Sequence, residues 1–208
     1  MIRMSILGLM TCLVAATLHA DEKSQWKNLW DGRTFDGWKI NENKDSWKIE
    51  DEKLVCFGER SHIFYVGDEE PFKNFEFECE VRTTPGSNSG IYFHTQFQET
   101  GWPRYGLECQ VNVSQSDPKK SGSLYGVVDV DNPGVKDNEW YKTYIKVEGK
   151  HIIIRVNDKT TVDHTEAEGK EAFSPEFERR LGQGTFALQA HDPDSKVYFR
   201  NLRVRRLP

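Results

Sequence analysis

The stretch Phe75-Glu-Phe-Glu-Cys-Glu-Val-Arg82 constrains the fold more than any other part of the chain. Phe75, Phe77, Cys79 and Val81 are apolar, and Glu76, Glu78, Glu80 and Arg82 between them are charged, without a break in the alternation. Successive strand side chains point to opposite faces, so this segment suits a strand with one side in a core and the other in water; a helix would scatter the same residues around its axis. Antiparallel sheets commonly keep one wet face, which makes the charges an expected solvated surface. Glu80 and Arg82 are the exceptions to watch, because the chain runs on through Thr84-Pro-Gly-Ser87 directly to Asn88.

Similar runs rich in Val, Ile, Phe, Tyr and Trp recur along the chain, separated by Gly, Asn, Asp and Pro. They predict strands at 47–50, 53–57, 63–66, 75–83, 90–96, 105–113, 123–128, 140–148, 151–157, 160–163, 185–189 and 196–205. Short strands at such spacing argue for an all-β antiparallel sandwich. Glu148-Gly-Lys150 and Asn157-Asp-Lys159 read as hairpin turns. The one helical signal is 174–182, with Ser174 as N-cap, Pro175 at the first helical position and Gly182 as the stop. Stretches 115–121 and 129–138 read as long edge loops, where binding residues often sit.

Three runs place polar residues on one side. In 105–113, Leu107, Cys109 and Val111 alternate with Glu108, Gln110 and Asn112; in 184–192, Thr185, Gln189 and His191 oppose Phe186, Leu188 and Ala190; the third is Asn88-Ser-Gly-Ile-Tyr-Phe-His-Thr95. If these share a sheet, one face carries Glu108, Gln110, Gln189 and His191. A carboxylate and an imidazole are natural proton-transfer groups. Tyr92, Tyr125, Trp102 and Trp38 offer flat surfaces for sugar rings. No nucleotide loop, nucleophile elbow or zinc helix is present.

Residues 1–20 have a short basic start at Arg3, an apolar run from Ile6 to Leu18 and Ala20 before Asp21, the pattern of a secretory signal peptide. An exported protein, periplasmic or extracellular, with one domain over 21–208 is therefore expected; an uncleaved anchor is the alternative, and Cys12 is a poorly formed lipidation site. The net charge of −5 with interspersed signs leaves no basic stripe for nucleic acid. No stable protein partner is predicted. Beyond the leader stand Cys56, Cys79 and Cys109, an odd number at mostly apolar-parity positions, which suits buried thiols and leaves a single disulfide open.

Ordered motifs add a resemblance. Asn28-Leu-Trp-Asp-Gly-Arg-Thr-Phe-Asp-Gly-Trp38, Trp47-Lys-Ile-Glu-Asp-Glu-Lys-Leu54, Phe75 to Arg82, Asn88-Ser-Gly-Ile-Tyr-Phe93, Gly106-Leu-Glu-Cys-Gln110, Ser121-Gly-Ser-Leu-Tyr125, Glu139-Trp140, Leu188-Gln-Ala-His191 and Phe199-Arg-Asn-Leu202 follow one another as in the 3-keto-disaccharide hydrolase domain family, which the chain resembles from about Trp26 to the C-terminus. The resemblance implies a concanavalin A-like jelly-roll sandwich of two antiparallel sheets. It also implies action on 3-keto-glucosides by 1,2-elimination to a 3-keto-2-hydroxy-glucal, followed by hydration. The keto-sugar would come from a separate sugar 3-oxidoreductase.

Carried onto this chain, the resemblance makes Glu108 and His191 either the acid/base core or ligands of a divalent metal ion. Tyr125 becomes a hydrogen-bond donor or acid, Arg82 a cation for the enolate, and Gln110 and Gln189 positioning groups. Asn88, Tyr92, His94 and Trp102 complete the expected sugar contacts. His94, Tyr141, Asp158 and Asp192 depart from the family pattern; His94 is open between ligand, base and spectator. A non-catalytic glycan-binding module on the same scaffold is the competing expectation.

Overall fold

The structure, a computed structural model, describes residues 25–208; the expected signal peptide lies outside them. Two antiparallel sheets face one another. From edge to edge the larger contains β11 (Lys159–Thr165), β10 (His151–Val156), β9 (Tyr141–Glu148), β6 (Phe75–Thr83), β13 (Lys196–Arg206), β4 (Leu54–Phe57) and β3 (Trp47–Ile49), with β1 (Lys27–Asn28) paired to β13 off that path. The smaller runs β2 (Trp38–Ile40), β5 (Ser61–Tyr65), β12 (Thr185–Ala190), β7 (Asn88–Thr95) and β8 (Leu107–Asn112).

Alternation in β6 resolves as its sequence demands, with Phe75, Phe77, Cys79 and Val81 buried and their neighbours facing out. Phe186 of β12 meets this row from the opposite sheet, its ring 4.8 Å from Phe77 and 4.9 Å from both Phe72 and Phe75. On the wet side the register sets Glu80 against Arg200, Glu78 against Arg203 and Glu76 against Arg205. Each pair is closed by a salt bridge, at 2.6 Å for Arg200–Glu80 and 2.5 Å for Arg203–Glu78. The three-residue step from Arg200 to Arg203 is absorbed by a bulge at Asn201, with φ 54°, which keeps both arginines outside while Leu202 stays in. Cross-strand pairs of this kind contribute roughly 0.2–1 kcal/mol each, so burial of the aromatic layer dominates the stability. Cys56, Cys79 and Cys109 are all buried and free.

Two expectations are corrected. Residues 123–128 form no strand: Leu124 bridges Cys109 on one side and Val128 on the other, making a compact turn against β8. Residues 174–182 form no helix. Ser174 Oγ does accept the N–H groups of Glu176 and Phe177, as a cap would, but Phe173 N–H donates to Glu178 O and Ser174 N–H to Phe177 O, so the chain reverses. Arg179 then takes a left-handed φ of 44°. A helix this short cannot recover its nucleation cost alone, whereas the turn gains an anchor, with Glu178 N–H donating to Arg104 O at 2.8 Å. Strands β1 and β2 went unpredicted because two or three residues are too few to show alternation.

Tyr141, a departure from the family pattern, is buried with its hydroxyl 2.9 Å from Ser121 Oγ. Tyr141→Phe is expected to lower stability by about 1 kcal/mol, since it removes one buried hydrogen bond; denaturant unfolding of the two proteins checks this.

Candidate active site

β12, β7 and β8 are neighbours in the smaller sheet, and their register puts Tyr92, Glu108, Gln110 and Gln189 on one face. The register places Tyr92 between Glu108 and Ala187, and Gly90 opposite Gln110. Three loops rise around them, bringing Trp102, Asp117, Tyr125, Phe177 and Arg179 to the rim of a cavity of about 240 Å³ whose lining also includes Asn88, Tyr92, Glu108, Gln110, Gln189 and His191.

Glu108 lies on the cavity floor. Burial pushes its carboxyl up to about 7, against the opposing pull of the Tyr92 hydroxyl and the Arg179 guanidinium. Gln189 Nε2 donates to Tyr92 Oη at 2.8 Å and reaches Glu108 Oε1 at 3.5 Å. With its amide nitrogen turned to Glu108, Gln110 donates to Oε1 at 3.2 Å and to Ser89 O at 3.3 Å. Two amides and a phenol thus hold the carboxylate in one place. Burial, and then the nearby Glu108 charge, keeps the Tyr92 hydroxyl protonated far above its ordinary range.

His191 stands where β12 ends. Its Nδ1 lies 2.5 Å from Asp192 Oδ2, and its ring packs 5.3 Å from Trp102. Burial raises the Asp192 carboxyl, but hydrogen bonds from His191, Ser195 and the Asp194 N–H outweigh it and hold the group below its usual range. An ionised Asp192 accepts a hydrogen bond from Nδ1–H and leaves Nε2 as the nitrogen that can exchange a proton with a ligand. Ser195 Oγ, which donates to Asp192, accepts the Asn88 N–H at 2.9 Å and so ties the His191 end of the site to β7.

Arg179 is a cation sequence reasoning missed, because the residue fell inside a segment read as helix. Its guanidinium packs 4.1 Å from the Phe173 ring, 5.0 Å from Tyr125 and 5.6 Å from Phe177, and no carboxylate pairs with it among the described residues. Asp117, the second carboxylate at the rim, comes from the 115–121 loop and accepts the Lys119 N–H at 2.8 Å.

Arg82, His94 and Trp38 are not brought to the site. Arg82 belongs to β6 of the other sheet and stacks over Tyr198 at 4.2 Å and Trp140 at 5.1 Å. His94 sits at φ 56°, where the pairing of β7 with β12 shifts register, and the bulge turns its ring away. There Nε2 meets Lys73 O at 2.8 Å and Nδ1 accepts the Gly182 N–H at 3.2 Å, and burial pushes the imidazole down to about 4. Trp38 is a core residue whose Nε1 donates to Leu29 O. For a divalent metal, Glu108 and His191 would need a further ligand. Among the described residues no group of three His, Cys, Asp or Glu side chains is gathered to hold one, and the cavity's other donors are chiefly amides and hydroxyls.

Two packed antiparallel sheets with a carboxylate-floored, aromatic-rimmed cavity on one outer face define a concanavalin A-like sandwich with a candidate site for a small ligand. The chain belongs to the 3-keto-alpha-glucoside-1,2-lyase-like domain family, whose model matches residues 25–205. It is similar to a 3-keto-disaccharide hydrolase of Bacteroides thetaiotaomicron, with 28% identity over 86% of this chain and 77% of that protein. In fold it is similar to a provisionally assigned glycosyl hydrolase of Parabacteroides distasonis (TM-score 0.75, 21% identity, 91% of this chain and 97% of that one). The carbohydrate-binding module CBM66 of Bacillus subtilis shares the architecture at TM-score 0.59 and 14% identity, covering 81% of this chain and 95% of that module. At such identities the two structures speak for the fold.

Proposed function

We propose that the protein cleaves 3-keto-glucosides by 1,2-elimination and hydrates the resulting 3-keto-2-hydroxy-glucal, so that the net result is hydrolysis. The observation that carries this reading is Glu108, a lone floor carboxylate held by amides and brought to about 7, beside the unpaired cation of Arg179. A ketone at carbon 3 acidifies the carbon 2 proton. Glu108 takes that proton, and the electron pair moves onto the carbon 3 oxygen as an enolate, which Arg179 stabilises in place of the expected Arg82. The enolate then expels the aglycone oxygen from carbon 1, and His191, entering the step with both ring nitrogens protonated and Nδ1–H held by Asp192, protonates it from Nε2–H as it leaves. Hydration reverses the sense: water adds its oxygen at carbon 1 while giving a proton back to His191 Nε2, and the proton on Glu108 returns to carbon 2, which restores both groups. Tyr125 sits at the rim beside Arg179 as a further hydrogen-bond donor. The family match and the name of the Bacteroides relative support the substrate class.

Export through residues 1–20 and supply of the keto-sugar by a sugar 3-oxidoreductase belong to the same proposal. The test is incubation of the protein with a 3-keto-glucoside and with its unoxidised parent, following aglycone and hydroxy-glucal. Release from the keto-sugar alone supports elimination. Binding without release from either sugar would move the assignment to a glycan-binding module.

Arg179→Met is expected to lower kcat on the keto-glucoside about 10²–10³-fold, the cost of removing one fixed donor from a developing oxyanion, with a smaller change in KM. Arg179→Lys should recover part of the loss. Steady-state kinetics of the three proteins decide the point; a change in KM alone would make Arg179 a binding residue.

A further inference from the structure

A row of unpaired polar atoms crosses the smaller sheet beside the Glu108 cavity. Asn41, directly after β2, exchanges hydrogen bonds with His62 of β5: its N–H donates to His62 O at 3.0 Å, and its Oδ1 accepts the His62 N–H at 2.8 Å. Gln189 of β12 lies opposite His62 on the other side. Asn41 Nδ2, both ring nitrogens of His62 and Gln189 Oε1 are buried, and none has a hydrogen-bond partner among the described residues. A buried polar atom left unpaired costs about 1–3 kcal/mol, and native proteins tolerate few of them. Four in three laterally adjacent residues, the last of them lining the cavity, mark a place built to be completed by something polar.

Two residues that line the cavity, Trp102 and Tyr92, pack against His62. The imidazole is 0% exposed, with the Trp102 ring 5.5 Å above it and Tyr92 at the same distance on the flank. Trp102 also packs on His191, so it covers the boundary between the cavity and the unpaired row. The backbone of the loop carrying it is anchored by Gly101 N–H to Glu42 Oε1 at 2.9 Å, by the Gln98 amide to Thr100, Trp102 and Arg104, and by Glu178 N–H to Arg104 O. The Trp102 side chain itself is held through ring contacts and the Arg60 guanidinium at 5.3 Å.

Resting on the reading of the Glu108 cavity as a keto-glucoside site, we propose that Asn41, His62 and Gln189 form the floor of a second sugar subsite, entered by the pyranose of the leaving group when Trp102 turns from His62 to stack on that ring. The ligand class follows from the donor set. A neutral imidazole gives one donor and one acceptor, Asn41 Nδ2 donates and Gln189 Oε1 accepts, which matches vicinal hydroxyls that both give and take hydrogen bonds, whereas an anion would leave the two acceptors unpaired. Burial first, then the charges of Arg60 and His191, push the imidazole down to about 3 and keep it neutral. The subsite would make the enzyme selective for disaccharides over simple alkyl glycosides.

The experiment compares His62→Phe with the natural protein on two substrates, a 3-keto-glucosyl-glucose and methyl 3-keto-glucoside. The variant is expected to lose at least tenfold more kcat/KM on the disaccharide than on the methyl glycoside. Its melting temperature should hold or rise, because two unpaired buried atoms are replaced by a ring that suits Phe64, Tyr92 and Trp102. Equal losses on both substrates, or no loss on either, overturn the subsite. Should His62→Phe fail to fold, Asn41→Asp, which keeps the Oδ1 acceptor and removes the Nδ2 donor, is read against the same pair and the same criterion. If the natural protein turns over neither keto-sugar, it is the proposed reaction that has failed. The subsite is then tested by calorimetric binding of the unoxidised disaccharide and methyl glucoside to both variants, with disaccharide-selective weakening upholding it and equal affinities refuting it.

Discussion

Glu108→Gln is expected to reduce turnover of a 3-keto-glucoside by about 10³-fold, within the 10²–10⁴-fold that a positioned proton-transfer group contributes, while substrate binding changes little because the amide keeps the shape. The natural enzyme should gain activity as pH rises through about 7, since the carboxylate is the base and burial holds it protonated below that point. Stability should move the opposite way. The folded carboxyl titrates near 7 against an ordinary value of 4.5, so the folded state favours the protonated form; its contribution is fully present below about 4.5 and is lost as pH rises through 7. Glu108→Gln lacks that loss and should become more stable than the natural protein at pH 8 relative to pH 4.5, by up to about 3 kcal/mol and by less to the extent that the cavity mouth lets water reach the group. Denaturant unfolding of both proteins at the two pH values reads the difference. A variant that is inactive yet shows no relative gain would mean that Glu108 is not held in the environment described.

The second large effect is expected at Gly90. The Glu108 side chain crosses from β8 and lies flat over this glycine: a methyl group at position 90 would overlap Glu108 Oε1 and stand 2.9 Å from its carboxyl carbon. Gly90 has an ordinary strand conformation, so the requirement is space for the carboxylate rather than backbone freedom. Gly90→Ala must therefore push Glu108 off Tyr92, Gln110 and Gln189. A displacement of about 1 Å at a reacting group costs on the order of 10²-fold in rate, and a loss of that size in kcat is expected. Stability should change by less than about 1 kcal/mol, because alanine suits a strand better than glycine and offsets the repositioning. Kinetics and a thermal melt together separate the cases; full activity in Gly90→Ala would show that the catalytic position of Glu108 is elsewhere.

Neither residue is equally visible in the sequence. Glu108 stands out because its neighbours Leu107 and Cys109 must enter the core, which leaves the carboxylate on the opposite face whatever the partner strands do. Gln110 and Gln189 follow from the same parity, and His191 from its place one step beyond. Gly90 shows only as part of the Asn88 to Phe93 motif, and its role as the bed for Glu108 needs the β7–β8 register. His94 shares the parity of Tyr92 and would have been kept by any alternation rule; the bulge at that residue alone turns it out. Arg82 was drawn in by chain proximity to Asn88, yet the intervening turn crosses from one sheet to the other, and two residues close in sequence end on opposite outer faces.

What the sequence determined by itself is local and periodic: the longer alternating strands, which side of each is apolar, and hence an all-β sandwich with Glu108, Gln110, Gln189 and His191 outside its core. Those facts depend only on the two-residue repeat of a strand and on the cost of burying charge, and both act without knowledge of distant partners. Tertiary structure alone decided which loops close over the polar face, that Ser174 to Gly182 is a turn presenting Arg179 rather than a helix, and that Asn41, His62 and Gln189 align in one row. Those outcomes depend on strand order, register and bulges, which arise from packing between segments as much as 100 residues or more apart in the chain, as where Ser89 Oγ donates to Gln189 O, and no local repeat encodes them.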